Sequence, residues 1–303
     1  MNSPLLVWML YINREVTPVE YERCYDLIQK TVPHARNIPK QPTSGDSLRQ
    51  VLAQMMPLLM MRHRRIPRSR WRDHVTPAGK HWIEQASVAS QDNTPQLTMH
   101  TSQMLDHVNP EHHLRSMIGY HLAWENSLVG MVMVQGRQRE VTNIGLGIKQ
   151  LCCEPRDATV TAYVESMSHK LTELELSHMT PDLGDEIVLR RLCILIALKS
   201  AYIKAIGQPI GFDWSRLEFN VPEETCFGDG QPLTGWEFRL YKSQLGVLRK
   251  GATVEESYQC VTAHFRGTLN STFVWQDNNK DLESWVQFIN IDQMTNVIPK
   301  LTD

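Results

Sequence analysis

The apolar run from Leu5 to Ile12 is continuous and too short to cross a bilayer, and it predicts a first strand. No basic segment precedes it and no small-residue cleavage site follows, so it is not expected to be a signal peptide. Thr17-Pro18-Val19-Glu20 combines an N-cap Thr, a Pro at the first helical position and a Glu three residues past the cap, a capping box that predicts a helix from Pro18 to about Lys30. Pro33, Pro39 and Pro42 make residues 31–44 a loop, after which Asp46 is expected to cap a second helix. That helix carries Leu48, Val51, Leu52, Met55, Met56 and Leu58 through Met61, apolar on nearly every face, so it should be buried with its methionines as core filler.

Farther along, Thr76 to Lys80 reads as a turn and residues 85–98 as a polar surface loop. Ser127–Val134 and Glu140–Ile148 read as two strands about a turn at Gly136, a hairpin that also marks the boundary between two halves. Helices are predicted over 158–179 and 185–206, and strands over 216–221, 235–241 and 257–265. Beyond Gly267 no pattern stands out.

Composition changes this picture little. Of 303 residues 42% are hydrophobic and 21% charged, which excludes disordered and fibrous classes. Lys plus Arg is 31 against 33 for Asp plus Glu, so no global field draws the chain to nucleic acid or to an anionic membrane, and neither is an expected partner. Six cysteines without a CxxC pair point to reduced thiols in the cytoplasm. Six arginines fall within Arg62 to Arg72, which is read as a solvated loop able to meet an acidic partner or a phosphate. His107, His112, His113 and His121 crowd one region without the Cys or Asp spacing of a zinc site.

Chemistry enters with the segment Ala197-Leu198-Lys199-Ser200-Ala201-Tyr202-Ile203-Lys204-Ala205-Ile206-Gly207, followed by Leu217-Glu218-Phe219. It resembles the WxxKExxxKxxG signature of the 4'-phosphopantetheinyl transferases of the surfactin and lysine-pathway type. Four further segments fall in that family's order: VWMLYINREVTPVEYE, DSLRQVL, the turn TPAGK against RTxxGKP, and Tyr120 to Gly130 against FNxSHxxxxV. The resemblance implies an α+β fold, a pseudo-dimer of two similar halves with a cleft between them. The expected division is 1–138, 139–267 and a C-terminal tail, 268–303.

Family members move phosphopantetheine from coenzyme A to a carrier-protein serine, with acidic side chains holding Mg2+ and cations holding coenzyme A. Here the metal-binding motif reads Gly145-Leu146-Gly147-Ile148-Lys149, so Gly147 and Lys149 stand at acidic positions, and Ser200 replaces the signature Glu. Ala123-Trp124 replaces the Ser-His pair, while Val75 and Gln54 replace arginines. Gly79, Lys80, Gly145, Lys199, Tyr202, Lys204 and Gly207 match the family. No metal and no other cofactor is therefore expected.

The substitutions are expected to leave a roomier, more apolar cleft that takes a small hydrophobic, polyketide-like substrate. Trp124, Ala123, Gly147, Lys80 and Lys199 would bind it, and Lys149, Ser200, Trp124 and Lys204 would act on it in a metal-independent cyclisation or isomerisation. Lys199 and Lys204 equally fit a role as helix-surface partners of neighbouring acids. The second reading is a noncatalytic protein that binds an acyl carrier protein or another partner. The third is an active transferase drawing its acids from Glu125, Glu154 or Asp157.

Overall fold

The computed structural model describes residues 4–32, 35, 37–85, 117–136, 141–208 and 210–301. The first strand is β1 (Leu5–Tyr11), followed by α1 (Pro18–Thr31), where the Thr17 and Glu20 side chains cap each other's backbone as the capping box requires. The second helix, α2 (Gly45–His63), is capped by Ser44, whose hydroxyl accepts from the Ser47 N–H, rather than by Asp46, which lies inside the first turn.

The chain then runs through β2 (Trp71–Val75), β3 (His81–Gln85), β4 (Met117–Glu125) and β5 (Leu128–Gln135). The mid-chain hairpin is β4 with β5, turning at Asn126, whose φ of 47° is the left-handed conformation a tight turn needs. Strand β5 does not pair with the strand after Gly136, as the expected hairpin of Ser127–Val134 with Glu140–Ile148 would require. That strand, β6 (Ile144–Gln150), belongs to a different sheet.

The long helix expected over 158–179 is instead α3 (Val160–Met167) and α4 (Glu173–Ser177), separated by a tight turn at Ser168–Lys170. Helix α5 (Asp185–Ile206) matches its predicted bounds and ends on Gly207. A small ribbon follows, β7 (Leu217–Asn220), β8 (Thr225–Gly228) and β9 (Gln231–Pro232), then two long strands, β10 (Trp236–Arg249) and β11 (Ala252–Phe265). The tail holds β12 (Thr272–Gln276), α6 (Asn279–Glu283), β13 (Val286–Asn290) and α7 (Ile291–Asn296).

One sheet has the order β13-β1-β5-β4-β3-β2, the other β12-β10-β11-β6. In both, the opening strand lies antiparallel to the second strand of a hairpin: β1 on β5 and β6 on β11. A long apolar helix covers the outer face of each, α2 on the first and α5 on the second, and each helix closes its own core. The tail strands, which the hydropathy pattern does not reveal, pair parallel to β1 and to β10 and so tie the last residues to both sheets.

A third core fills the space between the sheets. Val7 and Met9 of β1, Ala123 of β4, Val132 of β5, Leu146 and Ile148 of β6 and Tyr258 of β11 meet there. The facing surfaces of the two sheets are thus packed against one another around Ala123. No helix of the described residues is long and apolar enough to cross a membrane.

Candidate functional site

Strand β6 is the spine of the site, and its two glycines set the geometry. A Cβ on Gly145 would stand 2.1 Å from the Ala201 carbonyl oxygen of α5, and one on Gly147 would stand 2.0 Å from that of Ala197. Bare glycine lets the helix backbone rest directly on the strand. The expected extra room at Gly147 does not exist, because the helix occupies it.

Two residues on, the Lys149 ammonium lies 3.0 Å from a Glu125 carboxylate oxygen and 3.2 Å from one of Glu154. The same Glu125 oxygen accepts the Gln150 N–H at 2.8 Å. Burial alone would push Lys149 towards neutrality, but the Glu125 charge and hydrogen bond outweigh it and hold the lysine protonated. Burial pushes the Glu125 carboxyl up, against the pull of Lys149 and Gln150. Two carboxylates thus converge on an internal cation. A divalent metal would have to displace a fixed ammonium and would find a glycine and a hydroxyl at the other two positions. Among the described residues no group of three His, Cys, Asp or Glu side chains could hold one. This donor set does not fit Mg2+.

A second cluster lies against the other end of β6. The Lys80 ammonium donates to the carbonyls of Ile144 and Lys204, the latter at 2.8 Å, and the Lys204 ammonium donates to the Leu146 carbonyl at 3.3 Å. Neither forms an ion pair with a carboxylate among the described residues. Burial, assisted by the Lys204 charge, brings Lys80 down to about 7. Burial likewise brings Lys204 down to about 8, although Glu125 pulls it up. His121 is held well below its ordinary value, first by burial and then by Lys80, Lys204 and His81. Its Nδ1 is buried without a hydrogen-bond partner among the described residues. The other three histidines noted with it lie outside those residues.

Lys199 belongs to neither cluster. It is fully buried, 2.6 Å from the Glu175 carboxylate, and it donates to the carbonyls of Lys170 at 2.7 Å and Trp214 at 3.2 Å. Glu175 in turn accepts the Thr172 and Phe219 N–H groups. All three ammonium protons are engaged, so Lys199 joins α5 to α4 and β7. Glu175 escaped the sequence reading. The Thr172-x-x-Glu175 capping box was the available signal.

The remaining expected residues disperse. Trp124 donates through Nε1 to Asp46 at 3.2 Å and packs on the α2 core, whereas Ala123 faces the core between the sheets, on the opposite side of β4. Ser200 is half-buried on α5 and makes no hydrogen bond to another described residue. The cavities found among the described residues lie elsewhere, and none is lined by Trp124, Ala123, Gly147 or Lys149.

No family model matches the chain. It is similar to the 4'-phosphopantetheinyl transferase pptA of Paxillus involutus, with 25% identity over 270 residues that cover 87% of this chain and 89% of that protein.

Proposed function

We propose that this chain, a member of the 4'-phosphopantetheinyl transferase superfamily, binds an acyl carrier protein in the cytoplasm without transferring phosphopantetheine to it in a Mg2+-dependent reaction. One observation carries the loss of transfer: an ammonium stands between Glu125 and Glu154 beside a glycine that has no room for a side chain. Transfer needs charge stabilisation on a pyrophosphate leaving group, and a site already neutralised by its own lysine has no place for the cation that would supply it. The carrier protein follows from what the resemblance to the phosphopantetheinyl transferases implies. Lys204, partly exposed and short of a carboxylate partner among the described residues, supplies positive charge that suits the phosphodiester of a carrier already bearing phosphopantetheine.

A cyclase or isomerase acting on a hydrophobic substrate needs Trp124 and Lys149 to face one apolar pocket. Trp124 turns to Asp46 and Lys149 to Glu125 and Glu154, which ranks that reading behind carrier binding. The chain divides at residue 138 into two units that each contribute one face to the partner surface, and the tail, 268–303, adds a strand to each of the two larger sheets.

The test incubates the purified chain with coenzyme A, Mg2+ and an apo carrier protein, and measures carrier mass together with calorimetric binding of the apo and holo forms. The expected result is an unchanged mass and saturable binding that is tighter for the holo carrier. A mass increase would reinstate the active transferase using Glu125 and Glu154. Absence of binding to both forms would remove the carrier-protein reading.

A further inference from the structure

Six arginines between positions 62 and 72 play no part in the β6 site. Arg64 is held by the Gln135 side chain at 3.0 Å. Three others behave differently, because the fold gathers Arg62, Arg65 and Arg68 with Lys300 from the far end of the chain around one cavity of about 330 Å³. Its floor is apolar, built from Leu58, Ile66, Trp71 and Leu301.

We propose that this cavity at the C-terminal end of α2 binds a phosphate monoester carrying an apolar body, independently of the β6 site. Three observations support it. First, among the described residues none of the four cations forms an ion pair with a carboxylate, so an anion entering the cavity has no internal counter-charge to displace. Cations at a helix C-terminus complement the helix dipole, which accounts for Arg62 but not for Lys300, more than two hundred positions away in the chain.

Second, Arg68 is positioned before any ligand arrives. Its guanidinium lies 4.1 Å from the centre of the Trp71 ring and donates to the carbonyls of Thr31 at 3.2 Å and Trp71 at 2.8 Å. Third, Arg65 has a φ of 58°, the left-handed conformation in which a helix commonly ends on glycine or asparagine. An arginine held there against its backbone preference places a long cation at the mouth of the cavity, and such strain persists where function maintains it.

The chemistry selects the ligand class. Four cations around one opening over-compensate a single carboxylate, whereas a phosphate monoester is close to a dianion near neutral pH. Guanidinium groups match its oxygens in pairs. The apolar floor has no use for free inorganic phosphate, so the ligand needs a hydrocarbon or aromatic body to cover it. A volume of about 330 Å³ is at the small end for organic ligands and suits a short chain or a single ring system.

The test titrates the full chain with octyl phosphate, octanol and inorganic phosphate, following heat and tryptophan fluorescence. Octyl phosphate is expected to bind one to one, at least tenfold more tightly than inorganic phosphate. Its affinity should fall with added salt, and Trp71→Phe should abolish the fluorescence change. The exposed pair Arg62→Ala with Lys300→Ala should weaken binding at least tenfold while the protein melts as the parent does. Arg65→Gly should raise the melting temperature and yet weaken binding, a split that a purely structural role for Arg65 would not produce. Equal affinity in the double variant, or no saturable binding of octyl phosphate, overturns the proposal. So does co-sedimentation with phosphatidic-acid vesicles in the absence of octyl phosphate binding, which would assign the patch to a membrane surface instead.

Discussion

Two cationic regions of this molecule, the lysines along β6 and α5 and the arginines at the end of α2, handle the same charge in opposite ways. Lys149 is held by two glutamates, Lys199 by Glu175 and two carbonyls, and Lys80 by carbonyls alone. Arg62, Arg65 and Lys300 meet no carboxylate among the described residues and stay in water. Charge taken into the interior must bring its own compensation, whereas charge left at a cavity mouth can be compensated by something that binds. Within the interior group the compensation is graded. Lys199 has the most complete set of partners and Lys80 has no anionic one.

That gradation can be broken from its strongest end. Lys199→Met strands the Glu175 carboxylate in the core and is expected to cost about 3–5 kcal/mol, read as a large drop in the urea midpoint. A loss below about 1 kcal/mol would mean that Glu175 protonates or finds water without difficulty.

Lys149→Met leaves Glu125 and Glu154 facing each other, but Glu154 is partly exposed and can turn to solvent, so the expected loss is smaller, about 2 kcal/mol. The same variant should allow Mg2+ to raise the melting temperature, since two carboxylates would then lack their internal cation. An unchanged response to Mg2+ would show that the helix backbone over Gly147, rather than the ammonium, keeps the metal out.

Lys80 has no anionic partner among the described residues, and pH resolves its contribution. Its value of about 7 in the folded chain lies below the ordinary 10.5, so between those limits the unfolded chain holds the extra proton. Stability should therefore rise with pH from about 7 to about 10, and Lys80→Met should remove part of that rise, the rest belonging to Lys204, whose value of about 8 also lies below the ordinary 10.5. Parallel stability profiles for parent and variant would contradict the burial that depresses Lys80.

How far the sequence exposes this arrangement depends on whether the cause is local. The Thr17 to Glu20 capping box and the bounds of α5 are short-range features and could be read directly. Gly136 is the more obvious turn residue in sequence, while the hairpin turns at Asn126-Ser127, where only the left-handed φ of Asn126 marks it. The tail strands β12 and β13 are five residues each and owe their existence to β10 and β1, so no local pattern foretells them. Lys149 could be recognised as a cation where the family has an acid. Glu125 and Glu154 could be named as nearby acids, but their pairing with Lys149 could not, because the approach of Glu125 depends on the packing of β4 beside β6.

The close rest of α5 on Gly145 and Gly147 also couples strand to helix. No side chain can be added at position 147 by one substitution, because its Cβ would meet the Ala197 carbonyl. Helix α5 would first have to withdraw, and the packing of Leu192, Leu198 and Ala201 beneath it resists that movement. Strand and helix can therefore change here only together, and the two glycines act as a latch between them.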